Sequence, residues 1–186
     1  MWLADVKAKA KRKNQMLFSK DSLLLTDLCQ LIAQVNRRAL ILWALELAEE
    51  TARELAGKYP EDPRPLDAIA ASRAWASGEI KMPIAKRAIL NCHAMAKELA
   101  DPADIARCYA VGQACSVVHT SGHALGYPMY ELTAIVLELG LDGCRDTVEQ
   151  RVVYYEQRLR YWMEYEKTCQ KNWAGFLKKM MIGPSQ

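Results

Sequence analysis

The sequence predicts an all-α fold: a single-domain multi-helix bundle with a long C-terminal helix. Apolar residues recur at three- and four-residue intervals along most of the chain, the period of one face of a helix. Capping residues, Pro and Gly punctuate those runs where helices would start and stop. No apolar/polar alternation is long enough to support a sheet, and no internal repeat is present. At 186 residues, 51% of them hydrophobic and 25% charged, the composition is that of an ordinary globular domain able to bury its own core.

Residues 1–20 form a basic N-terminal arm, frayed or helical. Lys7, Lys9, Lys11, Arg12, Lys13 and Lys20 stand against Asp5 alone, which leaves residues 21–186 mildly acidic within a total of +3. Such an arm can touch nucleic acid, but a solvated terminus is the preferred reading. Residues 21–186 form the helical domain. Leu24, Leu28, Leu31 and Val35 make a first stripe. Asn36 is placed to cap a second helix striped by Leu40, Trp43, Leu47 and Leu55, unless the two segments run on as one. Gly57 and Pro60 close it. Pro65 suits the first turn of a short helix that Gly78 stops. A further helix begins around Pro83. Asp101 caps another, with Pro102 at its first position, that runs toward Thr120. Pro128 opens the next and Gly140 ends it.

The last segment keeps a 4,3 spacing through Val148, Val152, Tyr155, Leu159 and Trp162, then Cys169, Trp173, Phe176 and Met180, broken only at Glu166. A continuous helix of that length would reach roughly 50 Å and project from the domain. One reading is a homodimer through this C-terminal helix. The other is a break near Glu166 or Gly175 that folds the tail onto its own bundle.

No apolar run approaches the length of a membrane span. No secretory signal pattern opens the chain, so the expected location is the cytoplasm. Cys29, Cys92, Cys108, Cys115, Cys144 and Cys169 are scattered without a CxxC pair, which favours buried thiols over a disulfide framework. The stretch "CSVVHTSGH" places Cys115, His119 and His123 on one helical face, continuing Cys108 and Gly112. Gly112 would let a neighbour approach closely. An i, i+4 histidine pair has the spacing of two metal ligands, yet Thr120 stands where the HExxH motif has its glutamate. With His93 from the preceding helix, a His93/His119/His123 cluster would resemble an open zinc site. Core packing is the expected role of the three, and the metal site is the alternative. No phosphate-cradling loop, nucleophile elbow or dinucleotide fingerprint is present, so no catalytic residue and no cofactor is assigned.

Four stretches in order, "NRRALILWALELAEE", "KYPEDPRPLDAIAASRAWASGEIKM", "KRAILNCHAMAKE" and "ARCYAVGQACSVVHTSGHALGYPMYEL", resemble the bacterial immunity-five-like family over about residues 36–160. The likeness is carried by Trp43-Ala44-Leu45, by Pro60-Glu61-Asp62 with Arg64-Pro65, by Ala74-Trp75 with Gly78, by His93-Ala94, and by Gly112-Gln113-Ala114 through His119 to His123. Cys108, Tyr109, Cys115 and Ser116 stand where that family has small residues, and Ser121-Gly122 loosens the helix just before His123. The resemblance implies an all-helical cytoplasmic protein, proposed to neutralise a toxin delivered by competing bacteria, and it brings no catalytic residues. A non-enzymatic protein that binds a cognate toxin is therefore the expected function. A metal-dependent helical enzyme using His93, His119 and His123 is the alternative. Glu49, Glu50 and Glu54, with the corner Glu61-Asp62, are the candidate partner contacts.

Overall fold

A computed structural model of the chain describes residues 2–178. The described residues fold into helices joined by short turns and contain no strand. The order is α1 (Trp2–Lys11), α2 (Thr26–Gln34), α3 (Arg37–Lys58), α4 (Arg64–Ser77), α5 (Met82–Ala96), α6 (Pro102–Ser116), α7 (Gly126–Gly143), α8 (Arg145–Tyr165) and the short α9 (Gly175–Lys178).

The helix boundaries follow local chemistry. Asn36 is extended, and its side chain accepts from the Ala39 amide, which separates α2 from α3. Asp101 accepts from the Ala103 amide at the start of α6, with Pro102 in the first turn. Gly78 ends α4 at φ 86°, a left-handed conformation that costs glycine nothing. Gly140 adopts φ 74° and ψ 163° and breaks the helical backbone inside α7 three residues before that element ends.

α3 is the axis of the bundle. Packing against α4, α6 and α8 buries every residue from Ala39 to Ala44, well beyond the stripe that periodicity predicts. α6 is similarly enclosed by α3, α4, α5 and α7. The Trp43 indole donates to the Tyr155 carbonyl at 2.9 Å and ties α3 to α8. Residues 2–20 lie on the bundle. α1 buries Val6, the following turn buries Leu17 and Phe18, and the Trp2 indole donates to Glu149 at 2.9 Å.

The long helix stops at Tyr165, so of the two readings the break near Glu166 is the one that forms, and Met180 itself lies outside the described residues. The break has a cause at Glu166. Its carboxylate is 2% exposed and sits 3.6 Å from the Arg38 guanidinium. Asn36 also donates to it, at 3.4 Å. Turning this charge inward places the following residues along the groove between α3 and α4. There Trp173 lies under the Arg38 guanidinium, the Ala174 amide donates to the Ala76 carbonyl at 2.8 Å, and Leu177 is buried.

Three helices meet at one buried carboxylate, Glu131 of α7. Arg151 of α8 donates to it at 2.8 and 3.0 Å, and the Tyr155 hydroxyl donates as well. Tyr127 shares a 2.7 Å hydrogen bond with Thr51 of α3, and Thr51 reaches Glu131 at 3.4 Å. Removing one partner of such a set strands the remaining charge and hydroxyls without partners. Glu131→Ala is expected to lower unfolding stability by about 3–5 kcal/mol in chemical denaturation, and Glu131→Gln to fall between it and the parent. A loss under about 1 kcal/mol would show that the set is incidental to stability.

Candidate functional site

The three histidines meet, but not as a helical stripe. α6 ends at Ser116, the His119 amide donates back to the Ser116 carbonyl, and Thr120 is extended at φ −151°. A 3-10 turn, Ser121–His123, follows. The Thr120 hydroxyl accepts from the Gly122 amide, which favours this turn over a continued helix. The Arg37 guanidinium holds the chain reversal by donating to the Val118 carbonyl at 2.6 Å and to that of His119. Cys115 is thereby separated from the pair. It is fully buried, while His119 is exposed.

The turn returns His119 and His123 to α5, where His93 stands, and the three line one cleft of about 360 Å³. Trp75 of α4 and Ser116 supply further wall, and α5 adds Met82, Lys86, Ile89 and Leu90. His119 stacks on Trp75 with ring centres 6.2 Å apart. Phe176 from the C-terminal segment lies 5.8 Å from the same indole.

Each imidazole has a different setting. The His123 Nδ1 lies 2.9 Å from Gln113 Oε1, so the amide oxygen accepts the Nδ1 proton and the neutral ring keeps Nε2 as an acceptor. His93 packs 5.4 Å from Tyr109, and its buried Nε2 has no hydrogen-bond partner among the described residues. That nitrogen occupies the space a side chain at Gly112 would need: a Cβ there would sit 1.9 Å away. The small residue in α6 thus admits an imidazole from α5. Among the described residues, no group of three or more His, Cys, Asp or Glu side chains is arranged to hold a metal ion.

Burial lowers the proton affinity of His93, with repulsion from His123 adding to it. Burial, then His119, does the same for His123. Burial pushes the Cys108 and Cys115 thiols up to about 12, and raises that of Cys92 as well. These cysteines are therefore protonated packing groups, not nucleophiles.

The acidic candidates have internal partners. Glu49 pairs with Arg53 at 2.5 Å and with Arg73, and Glu50 accepts from Arg151 at 2.9 Å and Tyr154 at 2.5 Å. Glu54 lies 3.1 Å from Arg107, and Asp62 is bound by Arg64, which also holds Glu98. Glu61 is exposed at the corner between α3 and α4. Sequence reasoning names Trp75 only as part of the family likeness and does not single out Lys86 or Leu90. The signal was the spacing of Met82, Lys86, Leu90 and His93 on one face of α5, whose mixed polarity disguises it.

Two outcomes test this geometry. Gly112→Ala is expected to destabilise the fold by about 1–3 kcal/mol through overpacking. Adding His93→Ala should recover part of that loss, whereas simple additivity in the double-mutant cycle would show that the ring and the glycine do not share this space. Folding depresses both imidazole pKa values below the ordinary 6.5, so the unfolded chain binds more protons as pH falls through that value. Stability is then complete above that value and declines in the window below it, and the decline should shrink in a His93→Gln, His123→Gln variant. An unchanged urea midpoint across that window would contradict the assignment.

Neither a curated protein nor a solved structure matches the chain. The family model described as Imm-5 like putative immunity protein matches residues 30–158, which takes in α3 through α7, most of α8 and every histidine of the cleft. The chain belongs to the Imm-5 like putative immunity protein family.

Proposed function

We propose that this protein is a non-enzymatic immunity protein that binds and neutralises a cognate toxin, with contact centred on the rim of the histidine cleft. One observation carries the location. Met82 is 40% and Leu90 54% exposed at the mouth of a concave site within the family-matched region. Large apolar side chains at the edge of a pocket are a costly arrangement for a surface unless something covers them. The chemistry inside the cleft supports recognition. Imidazoles, a tryptophan face and a lysine offer hydrogen bonds, stacking and charge without an activated nucleophile. Glu49, Glu50, Glu54 and Asp62 already have cationic partners within the fold. In this reading they stiffen the scaffold, and Glu61 is left as a peripheral contact.

Cells expressing the protein should survive co-expression of its toxin. Leu90→Asp should abolish protection while leaving the unfolding midpoint within error, and Glu49→Ala should preserve it. Equal killing with and without the protein, across the secreted toxins of the source strain, would sink the reading.

A further inference from the structure

α5 and its two capping residues carry only positive charge, and Lys86 among them lines the cleft. From Lys81 to Lys97 the sequence holds Lys81, Lys86, Arg87 and Lys97 and no Asp or Glu. None of these four forms a salt bridge among the described residues, in contrast to the acids of α3. All four are exposed. Ile84, 58% exposed, and Leu90 stand between them, and Met82 joins Leu90 at the cleft mouth. Asp67 borders the shallow depression that Ile84 and Arg87 line on the flank away from the cleft. α5 thus presents one basic and apolar face, with a pocket of about 360 Å³ opening beside it.

We infer that α5 is the docking helix for an acidic, apolar segment of a protein partner. A large apolar side chain of that segment enters the cleft against Trp75 and Ile89. Its flanking carboxylates meet Lys81, Lys86 and Arg87. This inference rests on the protein-binding reading above and gives that partner its chemistry. Two features select a protein segment. The cleft is deep enough for a side chain and walled by Trp75, Ile89 and His93, the kind of pocket in which an interface anchor is held. The basic residues are interleaved with Ile84 and Leu90, so a partner must satisfy charge and apolar area within the same few ångströms. A lipid surface has no use for the cavity, and a phosphate backbone has none for Ile84 and Leu90.

The probe is a fluorescein-labelled peptide, Asp-Glu-Asp-Phe-Leu-Asp-Glu-Asp, titrated into the full chain and followed by anisotropy. Amide and imidazole NMR shifts map the contact. Saturable binding is expected, with shifts concentrated on α5 and on His93, His119 and His123. Replacing the peptide's acids by Asn and Gln, or its Phe and Leu by Ser, should abolish it. Lys86→Glu combined with Arg87→Glu should weaken binding by about tenfold or more. Leu90→Asp should do the same through the pocket. The inference is overturned by absence of saturable binding, or by equal affinity for the charge-reversed variant. Phosphatidylglycerol vesicles or a short single-stranded DNA binding through these residues in place of the peptide would overturn it too. If the charge-reversed variant still protects cells from the toxin as well as the parent does, this docking chemistry fails and the immunity reading stands. If the peptide binds α5 as described but no toxin is neutralised, the docking chemistry survives and the immunity reading fails.

Discussion

A single carboxylate, buried where α3, α7 and α8 come together, constrains how those three helices can sit against one another. Glu131 accepts from Arg151 and from the Tyr155 hydroxyl, and Tyr127 and Thr51 complete the set. An apolar surface can slide and still be buried, whereas hydrogen bonds to a buried charge hold only at one rotation and one depth of each helix. Burial raises the Tyr127 and Tyr155 hydroxyls well above their usual value, so both remain protonated donors. α3 is fixed by this set on one side and, at its C-terminal end, by Asp104, which accepts from Lys58 at 2.8 Å and Tyr59 at 2.9 Å. α4 and α6 both pack against α3, so the cleft between α4, α5 and the end of α6 is built on a helix held at both of these places.

The second constraint is steric. Tight approach at α6 is used twice, and in both places a glycine receives a neighbouring side chain. Gly112 takes the His93 ring from α5, and Gly126 at the start of α7 takes Gln113 from α6, whose Oε1 would lie 2.6 Å from a Cβ there. Gln113 is also the partner of His123. The glycine at 126 thereby helps orient an imidazole that it never touches. The pattern links the packing of three helices to the tautomer presented in the cleft.

Much of this was legible in the sequence wherever the controlling interaction is local. Asn36, Asp101, Gly78 and the prolines at helix starts act within a few residues of themselves, and the structure uses each as its chemistry suggests. The failures share the opposite trait. The histidine helix was drawn through residue 123 because the spacing allowed it. The turn that ends it depends on Thr120 locally and on Arg37 from a distant helix. The break after Tyr165 was one of two readings the spacing left open, and the choice between them is made by Arg38 and Asn36, which receive Glu166. Glu49, Glu50, Glu54 and Asp62 read as a free acidic face because most of their partners lie on other elements or far along the chain. The meeting of His93 with His119 and His123 was conceivable from sequence, but their separate hydrogen-bonding fates were not.

The segment that fills the groove between α3 and α4 comes from outside residues 30–158. Trp173 and Leu177 occupy apolar ground that belongs to the family-matched helices, and Phe176 shields the indole that forms one wall of the cleft. The evolutionary unit and the folding unit therefore have different ends. A relative that lacked such a tail would have to cover the same groove by some other means, or leave it open as a second surface. In this chain, then, the tail sets how much of the family-matched scaffold faces the outside world.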